Sequence, residues 1–177
     1  MALLELIPEN DQDQFLKNVF SVSKETFGFI PEALKLYGIA PEILATTLKA
    51  FEAYRETEGM SPILFIYIRF AYANTMKFPY CINLNTLLLK ALAVPADKVE
   101  EAKSDWKKLP MSDNEINLVD FALKVAINPD DVSKSDIEAL KELGWTEKQI
   151  FTASDQAARM NYASTLIRAF KLEIDKV

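Results

Sequence analysis

The 177-residue chain contains no histidine. The commonest proton shuttle near neutral pH and the commonest transition-metal ligand are therefore missing. Ser-His-Asp triads, Cys-His dyads and histidine-based zinc sites are excluded with them. Cysteine is reduced to Cys81, so no disulfide can form within the chain, which suits a cytoplasmic location. Carboxylate-only metal sites stay open, but no EF-hand pattern, phosphate loop or dinucleotide fingerprint occurs. No metal and no other cofactor is expected.

Glycine and proline are also scarce, with 4 and 8 residues, which argues against the many turns of a sandwich or barrel. Positive charge is in deficit: the net charge is -6 and no basic stripe offsets it, so nucleic acid is not an expected partner. The start of the chain has no basic n-region and no long apolar h-region, and no signal peptide is expected. The most apolar run, Pro62–Ile68, is interrupted by Arg69, and Lys77 ends the apolar stretch beyond it. A membrane span needs about 20 predominantly apolar residues, so this run reads as a buried helix and no membrane partner is expected.

What is present is a succession of helix start and stop signals. Phe15, Leu16, Val19 and Phe20 share one helical face, which predicts a helix over about 11–24. Pro31 and Pro41 each open a further helix, and Gly59 stops the second. Ser61-Pro62 reads as an N-cap with proline at the first helical position, opening a central helix to about Met76. Pro79 opens the next to about Ala93, and Pro95 another to about Lys107. Ser112 with Glu115 and Thr146 with Gln149 form capping boxes, starting helices to about Ile127 and Leu172. Between them, Ser133 caps a helix ending at Gly144.

The second half echoes the first. At an offset of 51 residues, positions 60–102 and 111–153 share eight identities over 43 pairs, including Phe70-Ala71 with Phe121-Ala122 and Leu89-Lys90 with Leu140-Lys141. The alternatives are an internal helical repeat and the general likeness of capped amphipathic helices. No linker or low-complexity segment divides the chain. The expectation is an all-α, compact multi-helix fold in one domain, with a first half over about 60–102 and a second over about 111–175.

The run Lys77–Asn85 and its surroundings resemble the alkylhydroperoxidase D-like (AhpD-like), or carboxymuconolactone decarboxylase, superfamily. Phe27–Pro31, Ile39–Leu44, Leu118–Lys124 and Ala157–Tyr162 resemble that superfamily's peroxidase-related branch, so the likeness spans about 15–175. The family motif is Cys-x-x-Cys, a histidine four residues later, and a glutamate twelve residues before the first cysteine. Carried over by position, the first cysteine is Phe78, the second is Cys81, the histidine is Asn85, the glutamate is Ile66, and Tyr80 lies between the cysteine positions. The resemblance implies a dithiol that reduces peroxide while glutamate and histidine pass protons. It also implies a homo-oligomer, a dimer or larger. Of the reacting groups only Cys81 remains.

Two functions stay open from the sequence. One is a scaffold that has lost the reaction and serves as an oligomer or a small-molecule binder. The other is an antioxidant peroxidase of the peroxiredoxin type, with Cys81 as sole nucleophile, a peroxide as substrate and an external thiol reductant. The helix N-terminus and Lys77 favour a thiolate at Cys81, whereas its apolar neighbours oppose one. Arg69 needs either a carboxylate from another helix or subunit, or a bound anion. Asn85 and Asn161 could line a remnant pocket with it, or serve as ordinary hydrogen-bond partners. Asp155 and Arg159 suit a surface pair, and Phe65, Tyr67, Phe70 and Tyr72 read as core or subunit interface. The apolar helix from Pro62 carries more apolar surface than one chain should bury, a second reason to expect assembly.

Overall fold

The structure is a computed structural model that describes residues 2–11 and 13–175. Among them there are nine α-helices and no strand. They are α1 (Gln14–Phe27), α2 (Glu32–Tyr37), α3 (Pro41–Arg55), α4 (Leu64–Thr75), α5 (Pro79–Ala91), α6 (Ala96–Ala102), α7 (Asp113–Ile127), α8 (Lys134–Glu142) and α9 (Glu147–Ala169). Short 3-10 turns stand at Trp106–Lys108 and Pro129–Asp131.

The expected starts hold where a side chain closes the first turn. Ser112, Ser133 and Thr146 each form a reciprocal capping box, with Glu115, Asp136 and Gln149. Asp13 caps α1 by accepting the amide of Leu16 at 2.9 Å, so α1 starts later than residue 11. Ser61 does not cap α4. Its carbonyl accepts the Leu64 amide at 2.9 Å, and Ile63 accepts that of Ile66, so tight turns precede a helix that begins at Leu64. α3 also stops short of Gly59. The Thr57 hydroxyl takes the Ala53 carbonyl at 3.0 Å, and the Thr57 amide turns to Tyr54, so the i→i−4 ladder ends. α6 and α9 end earlier than expected, at Ala102 and Ala169.

α4 lies at the centre. It packs against α5, α7 and α9, and eight of its twelve residues are buried. Phe70 and Tyr72 are 0% and 1% exposed. Burying such a side chain stabilises the fold by about 1.5–3 kcal/mol. The aromatic cluster of this helix is therefore core. Its apolar surface is covered within the chain, so it provides no reason to expect assembly.

The 51-residue offset persists in the backbone. Ala93 and Gly144 both adopt left-handed conformations, at φ 59 and 94. The next amides, Val94 and Trp145, bond to Leu89 and Leu140 at 3.0 and 3.1 Å, closing the same turn twice.

One cap predicts a pH response. The Asp136 carboxylate accepts from Lys124 at 2.7 Å and from the Ser133 amide and hydroxyl. These bonds, that of Lys124 foremost, pull its pKa from 3.8 to about 2. The stabilisation is present above the ordinary aspartate range and lost as pH falls through the depressed value. Acid unfolding followed by circular dichroism should show a weaker pH dependence in this range for Asp136→Asn than for the native chain. Equal slopes would remove the effect.

Candidate functional site

The motif region sits where α4 turns into α5. Lys77 adopts a left-handed conformation, φ 54, and the Phe78 amide reaches back to Ala73 at 2.9 Å. Pro79 then opens α5, which places Cys81 in its first turn and Asn85 one turn further on. Cys81 is 3% exposed. Burial pushes its thiol up to about 11, and the nearby Arg69 guanidinium opposes this without offsetting it. At neutral pH about one thiol in ten thousand is then a thiolate.

The positions around Cys81 are occupied by packing. Phe78 is half-buried, lies against Tyr72 with ring centroids 6.1 Å apart, and is covered by the Arg168 guanidinium at 4.9 Å. Ile66 packs against the core. Asn85 is fully buried and donates to the Cys81 carbonyl at 2.7 Å, while its Oδ1 has no partner. An amide held this way is tied within α5 itself, one turn along the helix, and moves no proton at neutral pH.

Tyr80 points into a structural joint. Its hydroxyl accepts the Ala33 amide at 2.8 Å and faces the Asp175 carboxylate. Asp175 accepts the Glu32 amide at 2.7 Å, and its carbonyl accepts from Asn83 at 3.2 Å. Together Tyr80 and Asp175 cap the N-terminus of α2 from two distant parts of the chain. Burial raises the pKa of both groups. No sequence pattern pointed to Asp175, because it lies beyond the last helix and belongs to no periodicity.

Arg69 meets no carboxylate within ion-pair distance among the described residues. Its Nε is sealed from solvent without a hydrogen-bond partner, and its guanidinium lies over the Phe51 ring at 5.3 Å. The polar groups acting on it are Cys81, Tyr80 and Tyr37. Asn161, by contrast, is exposed, and its carbonyl accepts from Ser164 and Thr165. Its neighbour Tyr162 lies within electrostatic range of Tyr37 and so of the Arg69 surroundings. Tyr37 was not singled out in the sequence, and Tyr162 entered it only as the end of the Ala157–Tyr162 segment that resembles the family. Arg159 and Asp155 form the expected pair at 2.9 Å, and Tyr54 from α3 also donates to this carboxylate.

Two clefts open elsewhere. One of about 420 Å³ lies between α7, α8 and α9, lined by Phe121, Val125, Ile137 and Phe151 among others. The other, of about 610 Å³, separates residues 2–6 from Glu173 and Ile174. Cys81 lines neither. Among the described residues no cluster of three or more cysteines and carboxylates could hold a metal ion. No helix among them is long and apolar enough to cross a membrane.

No family model matches the chain, and no curated protein does. Solved structures do match. An uncharacterized peroxidase-related protein from Silicibacter sp. TM1040 aligns at 19% identity over 98% of this chain and 92% of that one, with TM-score 0.84. An AhpD-core peroxidase-related protein from Ralstonia eutropha JMP134 aligns at 20% identity, 99% and 92% coverage, and TM-score 0.76. A cysteine-to-alanine variant of the debrominase Bmp8, in complex with 2,3,4-tribromopyrrole, aligns at 16% identity, 99% and 94% coverage, and TM-score 0.76. At these identities the likeness establishes the AhpD-like fold of the peroxidase-related proteins and leaves the reaction to the residues.

Proposed function

We propose that this chain keeps the AhpD-like fold as an oligomeric, ligand-binding scaffold that has lost the dithiol reaction. The observation that carries this reading is Cys81 sealed in the core with Phe78 where a second thiol would stand. Peroxide reduction needs a thiolate, a proton donor for the leaving alkoxide and a resolving thiol. Phe78, Ile66 and Asn85 supply neither of the last two. General acid–base groups contribute about 100- to 10,000-fold. Turnover of an alkyl hydroperoxide with dithiol reductant should therefore not exceed that of a free thiol and should be the same in Cys81→Ser. Rapid turnover that vanishes in Cys81→Ser refutes the scaffold.

A one-cysteine peroxidase is the second reading, and the guanidinium of Arg69 beside Cys81 favours it. In that reaction the Cys81 thiolate takes the terminal oxygen of the peroxide and releases an alcohol. An external thiol then displaces water from the sulfenic acid, and a second thiol frees Cys81 as a disulfide leaves. Sulfenic-acid labelling of Cys81 during turnover is its signature.

Ligand binding is supported by the Bmp8 complex, in which a protein of this fold holds a small aromatic molecule. Assembly is supported by α9, where Phe151 stands 72% exposed beside the apolar cleft. Light scattering should give a mass above the 20.0 kDa of one chain, and Phe151→Lys should lower it. A monomer at micromolar concentration refutes assembly.

A further inference from the structure

We infer that Arg69 is the counter-charge for a small organic monocarboxylate that binds where α2, α4 and α5 meet. The inference rests on the ligand-binding reading and names the ligand class. Arg69 projects from the most buried helix of the fold, and its Nε is both sealed and unpartnered. A guanidinium stays charged in a protein. Every polar group acting on it is neutral near pH 7: Cys81 and Tyr37 titrate at about 11 and about 12, and Tyr80 is raised further. Arg69 is half-buried and its positive charge is unbalanced within the described chain, and a charge partly removed from water without a partner is unfavourable. The Phe51 ring 5.3 Å from the guanidinium carbon adds a cation–π contact without neutralising the charge.

The surroundings set the ligand class. A planar guanidinium matches a carboxylate. Among the described residues no second cation acts on Arg69, so it balances a single negative charge, which disfavours phosphate dianions. The rings of Phe51 and Tyr37 suit an apolar or aromatic body. Half-buried Tyr37 and Tyr162, which is 51% exposed, mark the side of the site that meets solvent. On α5, one turn beyond Cys81, the buried Asn85 Oδ1 remains an acceptor without a donor.

Thermal unfolding of the full chain with sodium benzoate, and with benzamide plus sodium chloride at equal ionic strength, tests this. Benzoate at about ten times its dissociation constant should raise Tm by about 3 °C or more, and benzamide should not. Arg69→Met should remove the benzoate shift and, without ligand, melt no lower than the native chain. If this variant does not fold, the native chain still reports: benzoate should slow alkylation of Cys81 at least threefold relative to benzamide. Equal effects of benzoate and benzamide, or a benzoate shift that survives in Arg69→Met, overturn the inference. So does a Tm that rises with protein concentration and ignores benzoate, since a second copy then supplies the carboxylate. The scaffold reading is decided separately by peroxide turnover, which does not depend on benzoate.

Discussion

At about pH 8, Cys81 in the folded chain should react with iodoacetamide about 100-fold more slowly than in the urea-unfolded chain. Its thiol moves from an ordinary value of 9.0 to about 11 on folding. The thiolate fraction then falls from about one in ten to about one in a thousand. A more basic thiolate is also a better nucleophile, which recovers about tenfold of that loss. The 3% exposure of Cys81 more than removes this gain, because the reagent must reach the sulfur along a line that packing closes. The folded-state rate should climb about tenfold per pH unit until the raised pKa is reached. Rates followed by mass spectrometry decide the matter. Equal rates in the folded and unfolded chains would mean an open, ionised thiol and would revive the one-cysteine peroxidase.

Gly59→Ala should lose about 2–4 kcal/mol of stability, against about 1–2 kcal/mol for Gly144→Ala. Both glycines adopt left-handed backbone, at φ 74 and 94. A methyl group at Gly144 meets open space, so conformational strain is the whole cost. At Gly59 the added Cβ would lie 2.6 Å from Gln149 Nε2. That nitrogen donates to the Glu58 carbonyl at 2.9 Å, while Oε1 of the same side chain accepts from the Thr146 amide and hydroxyl at the start of α9. Gln149 cannot swing away without opening the cap of the longest helix and releasing the 58–60 turn. Urea unfolding of the two variants measures the difference. Equal losses would show that Gln149 moves at no cost.

The helical starts were legible because caps act over three or four residues. Ser112, Ser133 and Thr146 each find their partner within one turn, so the sequence contains the whole interaction. Ser61 looked similar and failed, because the turn after it uses its carbonyl in place of its hydroxyl. The absence of histidine and of a second cysteine was equally complete in the sequence, since no packing supplies a missing functional group.

Burial and charge balance were decided only by the tertiary structure. The cap on α2 joins Tyr80 to Ala33 across 47 positions and Asp175 to Glu32 across 143. Arg69 could have met a carboxylate on any neighbouring helix, and only the packing of α4 shows that the polar groups around it are two tyrosines and a thiol. Asn161 fell on the exposed side of α9 and Asn85 in the core, because the roll of α9 is set by its contacts with α4 and α7. By itself the sequence determined an all-helical chain with one thiol and no histidine, because composition and caps are local. Whether that thiol is ionised depended on how α4, α5 and their neighbours close around it. Desolvation is a property of the packed neighbourhood, so only the folded chain could place Cys81 out of reach.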